Sequence, residues 1–110
     1  MNTTGFIRGY MAKNMNAEDF IKVVVKTLSM EFEKEVQLKN TDTGYLISME
    51  EHRVRMSKEL IDKHKGPYGV DRYILEEFEK QGFIFDRNRS QYIQYCFGIY
   101  VGGGIKILNK

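Results

Sequence analysis

One cysteine, one proline, two histidines and no tryptophan occur in the 110 residues of this chain. A lone thiol, Cys96, cannot close an intramolecular disulfide, and no Cys-x-x-Cys or Cys/His spacing offers a zinc site. With Pro67 as the single proline, the chain is neither collagen-like nor a proline-rich linker. An excess of one charge sign is missing too. Seventeen Lys and Arg face fifteen Asp and Glu, for a net charge of +2. No third of the chain is a basic arm or an acidic tail, so the bulk charge used in strong duplex-DNA binding is absent. Apolar runs fall far short of the roughly 18 residues a membrane-spanning helix needs. The longest, Val23-Val24-Val25, lies between Lys22 and Lys26. The start, Met1-Asn2-Thr3-Thr4-Gly5, has neither the basic nor the apolar part of a secretory signal. The expectation is a reduced, cytoplasmic protein with no membrane partner.

What is present is core material. The chain is 42% hydrophobic, with seven Phe and seven Tyr, enough for one domain over residues 1–110 and too little for two. Phe6, Ile7, Tyr10 and Met11 form one stripe of a short helix over 4–13, capped by Thr4. Asn16, followed by Ala17-Glu18-Asp19, starts a second helix over 17–29, with Phe20, Val24 and Leu28 as its buried stripe. The period then changes to two. Met30, Phe32, Val36 and Leu38 alternate with polar residues, the cluster 40–44 turns the chain, and Tyr45, Ile47 and Met49 alternate again, predicting a hairpin. Residues 50–57 fit either a third strand, with Val54 and Met56 inward, or a helix started by Ser48; the strand is favoured. Ser57 then caps a short helix over 58–65. A helix over 68–81 follows the break at Gly66-Pro67, and Gly82 stops it. Residues 91–101 read as a long strand and 105–108 as its partner across Gly102-Gly103-Gly104. The expected fold class is therefore α+β, an antiparallel sheet of two hairpin or meander units with two to four helices packed on one face.

Catalytic signatures are scarce. His52 and His64 share no metal-ligand spacing and read as two solvated histidines, and no metal or cofactor is expected. Cys96 reads as a small packing residue inside an apolar strand. The glycines near the C-terminus open no helix, so they form a turn rather than a phosphate cradle. Glu76, Glu77 and Glu79 lie opposite the Val70-Ile74-Phe78 stripe, as a solvated face does. No catalysis is expected.

One constellation points to binding. On strand 91–101 the odd positions are uniformly apolar, while Tyr92 and Tyr100 face the other way beside Arg87 and Arg89. Tyr and Arg are enriched at interfaces, and they also clamp single-stranded nucleic acid. This face would be either a docking surface or covered by residues 1–14. A second basic strip, Arg53, Arg55, Lys58, Lys63 and Lys65, supports an alternative. Helix 17–29, three strands and helix 58–65 follow the helix–three strands–helix order of double-stranded RNA-binding domains, though Glu59 and Asp62 interrupt the lysines and the C-terminal extension lies outside that pattern. The expectation is a small non-catalytic interaction module that binds a larger macromolecule, in most cases a protein, through Arg87, Arg89, Tyr92 and Tyr100. Motif-poor domains of this size often serve phages or mobile elements as accessory proteins or inhibitors. The alternative is an RNA or single-strand binder. The edge left by strand 105–108 would also let a second copy pair to form a homodimer.

Overall fold

The computed structural model describes residues 3–99. Its elements run α1 (Thr3–Asn14), α2 (Ala17–Phe32), β1 (Val36–Thr41), β2 (Gly44–Met49), β3 (His52–Met56), α3 (Lys58–His64), α4 (Gly69–Lys80) and α5 (Gln91–Cys96). The class is α+β, a three-stranded antiparallel sheet in the order β1-β2-β3 with helices around it.

The start of α2 follows from its cap. Asn16 Oδ1 accepts from the Asp19 backbone N–H at 2.8 Å, satisfying a donor the helix leaves free. The helix runs past the expected end at 29, because Phe20, Val24, Leu28 and Phe32 continue one stripe at intervals of four, and all four are buried. Phe32 satisfied both periods, and the helical one prevails. Met30 and Phe32 therefore belong to α2 rather than to the hairpin. Glu33 ends the helix in a left-handed conformation, with φ of 53°.

The expected hairpin and the favoured third strand are formed. Val36 pairs with Met49, and Asn40 with Tyr45 across the turn. Ile47 pairs with Val54, and Tyr45 with Met56. Tyr45, Ile47 and Met49 of β2 and His52, Val54 and Met56 of β3 are buried on the helix side. Gly44 is where β2 leaves the turn. A Cβ there would strike the carbonyl oxygen of Met56, so only glycine fits. Residues 50–57 hold the third strand, and Ser57 Oγ caps α3 through the Leu60 N–H at 3.1 Å. Helix α4 buries Val70, Asp71, Ile74, Leu75 and Phe78 and gives way to Gly82 at φ 100°.

The largest departure is at 91–96. The expected strand is a helix, α5, whose start Ser90 caps through its Oγ to the Ile93 N–H at 3.1 Å. Ile93, Cys96 and Phe97 are the buried set, at helical spacing. The odd-position face of a strand does not exist here, so the second hairpin is not formed in the described part of the chain. Tyr100, the glycine turn and the strand expected over 105–108 lie outside the described residues. Phe83 and Phe85 reach inward from irregular chain, with ring centroids 5.2 and 5.7 Å from Phe32, while Ile84 points out.

Replacing Ser90 by Ala should cost about 1 kcal/mol in urea unfolding, the usual worth of an N-cap, and Ser90→Asp should retain most of it. Helical backbone shifts over 91–96 in the native protein check the same point; extended shifts would contradict it.

Candidate interaction surfaces

The polar centre of the molecule is Asp71, wholly buried on α4. Its carboxylate accepts both terminal nitrogens of Arg8, Nη1 to Oδ1 at 2.7 Å and Nη2 to Oδ2 at 2.7 Å. Arg8 is 4% exposed. It also donates to the Pro67 carbonyl at 2.7 Å and to Thr27 Oγ1 at 3.3 Å. Its guanidinium lies 5.2 Å from the Tyr68 ring centroid. Tyr92 donates its hydroxyl to Asp71 Oδ2. Five segments therefore meet at one ion pair: Asp71 of α4 accepts from α1 and α5, and Arg8 of α1 donates onward to the 66–68 turn and α2.

This centre decides which way α1 faces. Arg8 points inward, with Met11, Ala12 and Met15 packed partly buried behind it. Phe6, Ile7 and Tyr10 consequently face out, at 77%, 52% and 69% exposure. The stripe read from the sequence therefore divides, with Met11 packed against the core and the other three turned outward. Together with Gly9 and Lys13 they line a shallow apolar depression of about 580 Å³.

The expected Arg/Tyr surface is not assembled as such. Arg87 is bound to Glu79, Nη2 to Oε1 at 2.8 Å, and lies 4.0 Å over the Phe97 ring. Its hydrogen bond to Glu79 pushes its pKa up. Arg89 holds Glu31, Nε to Oε2 at 2.7 Å, and lies 4.5 Å over Phe32. Both arginines brace the 86–90 loop against α4 and α2. Tyr92 spends its hydroxyl on Asp71. Arg8 of the N-terminal helix and Tyr92 share the Asp71 carboxylate, while the strand face that residues 1–14 were weighed as covering is not formed over 91–96.

The basic strip divides. Arg53 and Arg55 stand exposed on the outer face of β3, and Lys58 and Lys63 are exposed on α3. Lys65 turns inward to the Met15 carbonyl and to Asp62 Oδ1 at 3.7 Å. On the outer face of the sheet Arg55 lies across Leu46 from Lys39, and Arg53 across Ser48 from Gln37. Gln37, Lys39, Arg53 and Arg55 are all exposed. No described helix covers this face. Among the described residues Lys39, Arg55 and Lys58 have no ion-pair partner, and Arg53 reaches only the Glu51 carbonyl with its side chain. Beyond it, Gln81 closes the free edge of β3, accepting from Arg53 N–H at 2.8 Å.

The histidines are not both solvated. His52 is 6% exposed, with its ring 5.3 Å from Phe83 and 5.8 Å from Phe78. Its Nδ1 has no hydrogen-bond partner, and its Nε2 is 4.0 Å from Glu51 Oε2. Glu50, Glu51 and His52 bring one donor atom each within 4.8 Å of one another. Lys34 already holds Glu50 at 3.0 Å, and the three donors come from consecutive residues of one turn. His64 is half-buried against Tyr73. Glu76, Glu77 and Glu79 are each engaged by a cation, Arg72, Lys80 and Arg87. A depression of about 640 Å³ lies between the 40–45 turn and the start of α3, lined by Glu18, Asp42, Ser57 and Glu59 among others. The Ser57 hydroxyl there is committed to its cap.

Cys96 is buried, and burial with the nearby Asp71 charge pushes its thiol well above the ordinary value of 9.0. Burial likewise raises Tyr92 well above 10.0, helped by Asp71.

No protein family, no curated protein and no solved structure matches the chain.

Two expectations follow. Arg8→Met leaves a buried carboxylate unpaired and should cost about 3–5 kcal/mol by urea unfolding. The second concerns pH. The folded state keeps the Cys96 and Tyr92 protons where an unfolded chain releases them, so their contribution is whole below the ordinary thiol pKa and lost as pH rises. Stability should fall above about pH 9, and native Cys96 should resist a thiol-specific disulfide reagent at about pH 8 until denaturant is added.

Proposed function

We propose that this protein is a small non-catalytic interaction module that docks on a partner protein through the outer face of α1. The observation that carries the reading is the exposure of Phe6, Ile7 and Tyr10 on a helix whose inner face is fixed by a buried, bidentate ion pair. Single exposed apolar residues, such as Met30 and Ile84 here, are ordinary. Three on one helix face are not, and contiguous apolar patches mark contact sites.

The spacing i, i+1, i+4 is that of the anchors by which an amphipathic helix enters an apolar groove. The partner this fits is a protein with such a groove, ringed by acids that meet Lys13. Arg8 holds α1 in place before binding, so little ordering is left to oppose association. Aromatic anchors would supply most of the energy, and the mode of action is occlusion or tethering of the partner. Arg87 and Arg89 enter only as internal braces. A non-catalytic role is consistent with the acids and hydroxyls described above, whose hydrogen bonds serve helices, caps and ion pairs.

The test is affinity purification from nuclease-treated extract with the native chain and with Phe6→Ser/Tyr10→Ser. The double variant replaces exposed residues and should keep its melting temperature within a few degrees. The expected result is one stoichiometric protein, retained in high salt by the native chain and lost by the variant. A protein set identical for both chains, or one that vanishes with nuclease, refutes the reading.

A further inference from the structure

A second surface lies on the opposite side of the sheet from the helices, and it stands on separate observations. All the described helix packing is on the face of Tyr45, Ile47, Met49, Val54 and Met56. The other face presents Lys39, Arg53 and Arg55 around Leu46, with Gln37 and Ser48. We infer that this face is a binding site for single-stranded nucleic acid.

Charge is the first argument. Within the strands the face carries three cations and no acid, while Glu33, Glu35 and Glu50 border it in one depression with Gln37, Ser48 and Arg53. None of the three cations has a carboxylate partner among the described residues, whereas Arg72, Lys80, Arg87 and Arg89 all do. The nearest acids sit at the two ends of the strands. Glu35 and Glu50 lie at one end, and Asp42 and Glu59 at the other.

Geometry is the second. Strands lie about 4.8 Å apart, which sets Lys39 and Arg55 about 10 Å from each other across Leu46, and Arg53 about 7 Å along β3 from Arg55. The Arg53–Arg55 step matches successive phosphates of an extended strand, and Lys39 lies within reach of a phosphate further along it. Leu46, half-buried between the cations, gives an unstacked base an apolar floor, and the planar guanidinium groups can stack on neighbouring bases. A duplex fits less well. The three strands and their side chains span about 15 Å or more, against a major groove about 12 Å wide. The face has no aromatic residue, so binding should be tolerant of sequence and dominated by phosphate contacts.

Fluorescence anisotropy with labelled 12-mers of dT and rU tests this. Neutralising about three phosphates predicts a log–log salt slope near −2, so binding should weaken about 20-fold between 50 and 200 mM salt. Arg53→Ala/Arg55→Ala should bind at least tenfold more weakly at the lower salt and lose about two-thirds of that slope. Arg53→Lys/Arg55→Lys should keep most of the slope. Lys26→Ala/Lys63→Ala removes the same charge from exposed helix positions and should behave like the native chain. The assignment falls if both alanine pairs weaken binding equally, since bulk charge would then suffice. It also falls if a 20-base-pair duplex binds more tightly than the 12-mers, if polyglutamate of matched charge competes as well as dT, or if neither 12-mer binds.

Discussion

A carboxylate with no exposure to water governs this structure. Removing Asp71 from solvent costs several kcal/mol, and only a well-placed cation with additional hydrogen bonds offsets that. Arg8 supplies the cation and Tyr92 a further donor. Because the fork of a guanidinium meets a carboxylate in one plane, the pair fixes direction as well as distance. The helix carrying Arg8 must lie over the start of α4 with that residue inward. The remaining donors of Arg8, to Pro67 and Thr27, tie the same point to the turn before α4 and to α2. The exposed stripe on α1 is a consequence. A helix cannot turn both Arg8 and its Phe6-Ile7-Tyr10 side to the core, and here Arg8 is the side turned inward.

This also explains which parts of the fold were legible. Helix α2 up to residue 29, strands β1 and β2, α3 and α4 each show one dominant period, and Asn16, Ser57 and Gly82 mark their caps and stops. Local propensity and tertiary packing agree there. Helix α1 offered two stripes of equal regularity. One was Phe6, Ile7, Tyr10 and Met11; the other was Arg8, Met11, Ala12 and Met15. Hydrophobicity alone selects the first. The signal that could have selected the second lies sixty residues away. Asp71 occupies the buried stripe of α4 with Ile74, Leu75 and Phe78, so an acid sits where an apolar residue is expected. An acid on one inward stripe calls for a base on another, and Arg8 is such a base.

The 91–96 segment failed for a related reason. Its alternating apolar residues also satisfy a helical set, Ile93, Cys96 and Phe97, and a six-residue segment is too short for periodicity to arbitrate. Ser90 was the available clue, since it caps α5 as Ser57 caps α3. The candidate site was read less well than the fold. Arg87 and Arg89 beside tyrosines carry the composition of an interface, but the same cation–ring chemistry works within a molecule. Here Phe97 and Phe32 receive the two guanidinium groups, while Glu79 and Glu31 take their charge. Sequence does not distinguish an arginine that meets a neighbouring chain from one that meets its own. Arg53 and Arg55 were more transparent, because alternation with Val54 and Met56 on a one-sided strand puts them outward.

The two outward surfaces differ in what holds them. Backbone ladders on both sides of β2 build the sheet face, and its cations add little to stability, since exposed substitutions cost about 0.5 kcal/mol or less. The α1 face depends on a single polar centre. Weakening the Arg8–Asp71 pair releases the helix and its apolar stripe together, while the register that spaces Lys39, Arg53 and Arg55 is set by hydrogen bonds remote from that pair. The two proposed roles, protein docking and anion binding, would thus be separable within one small chain. One rests on a buried charge pair that orients a helix, and the other on the side of the sheet opposite the one its described helices pack against.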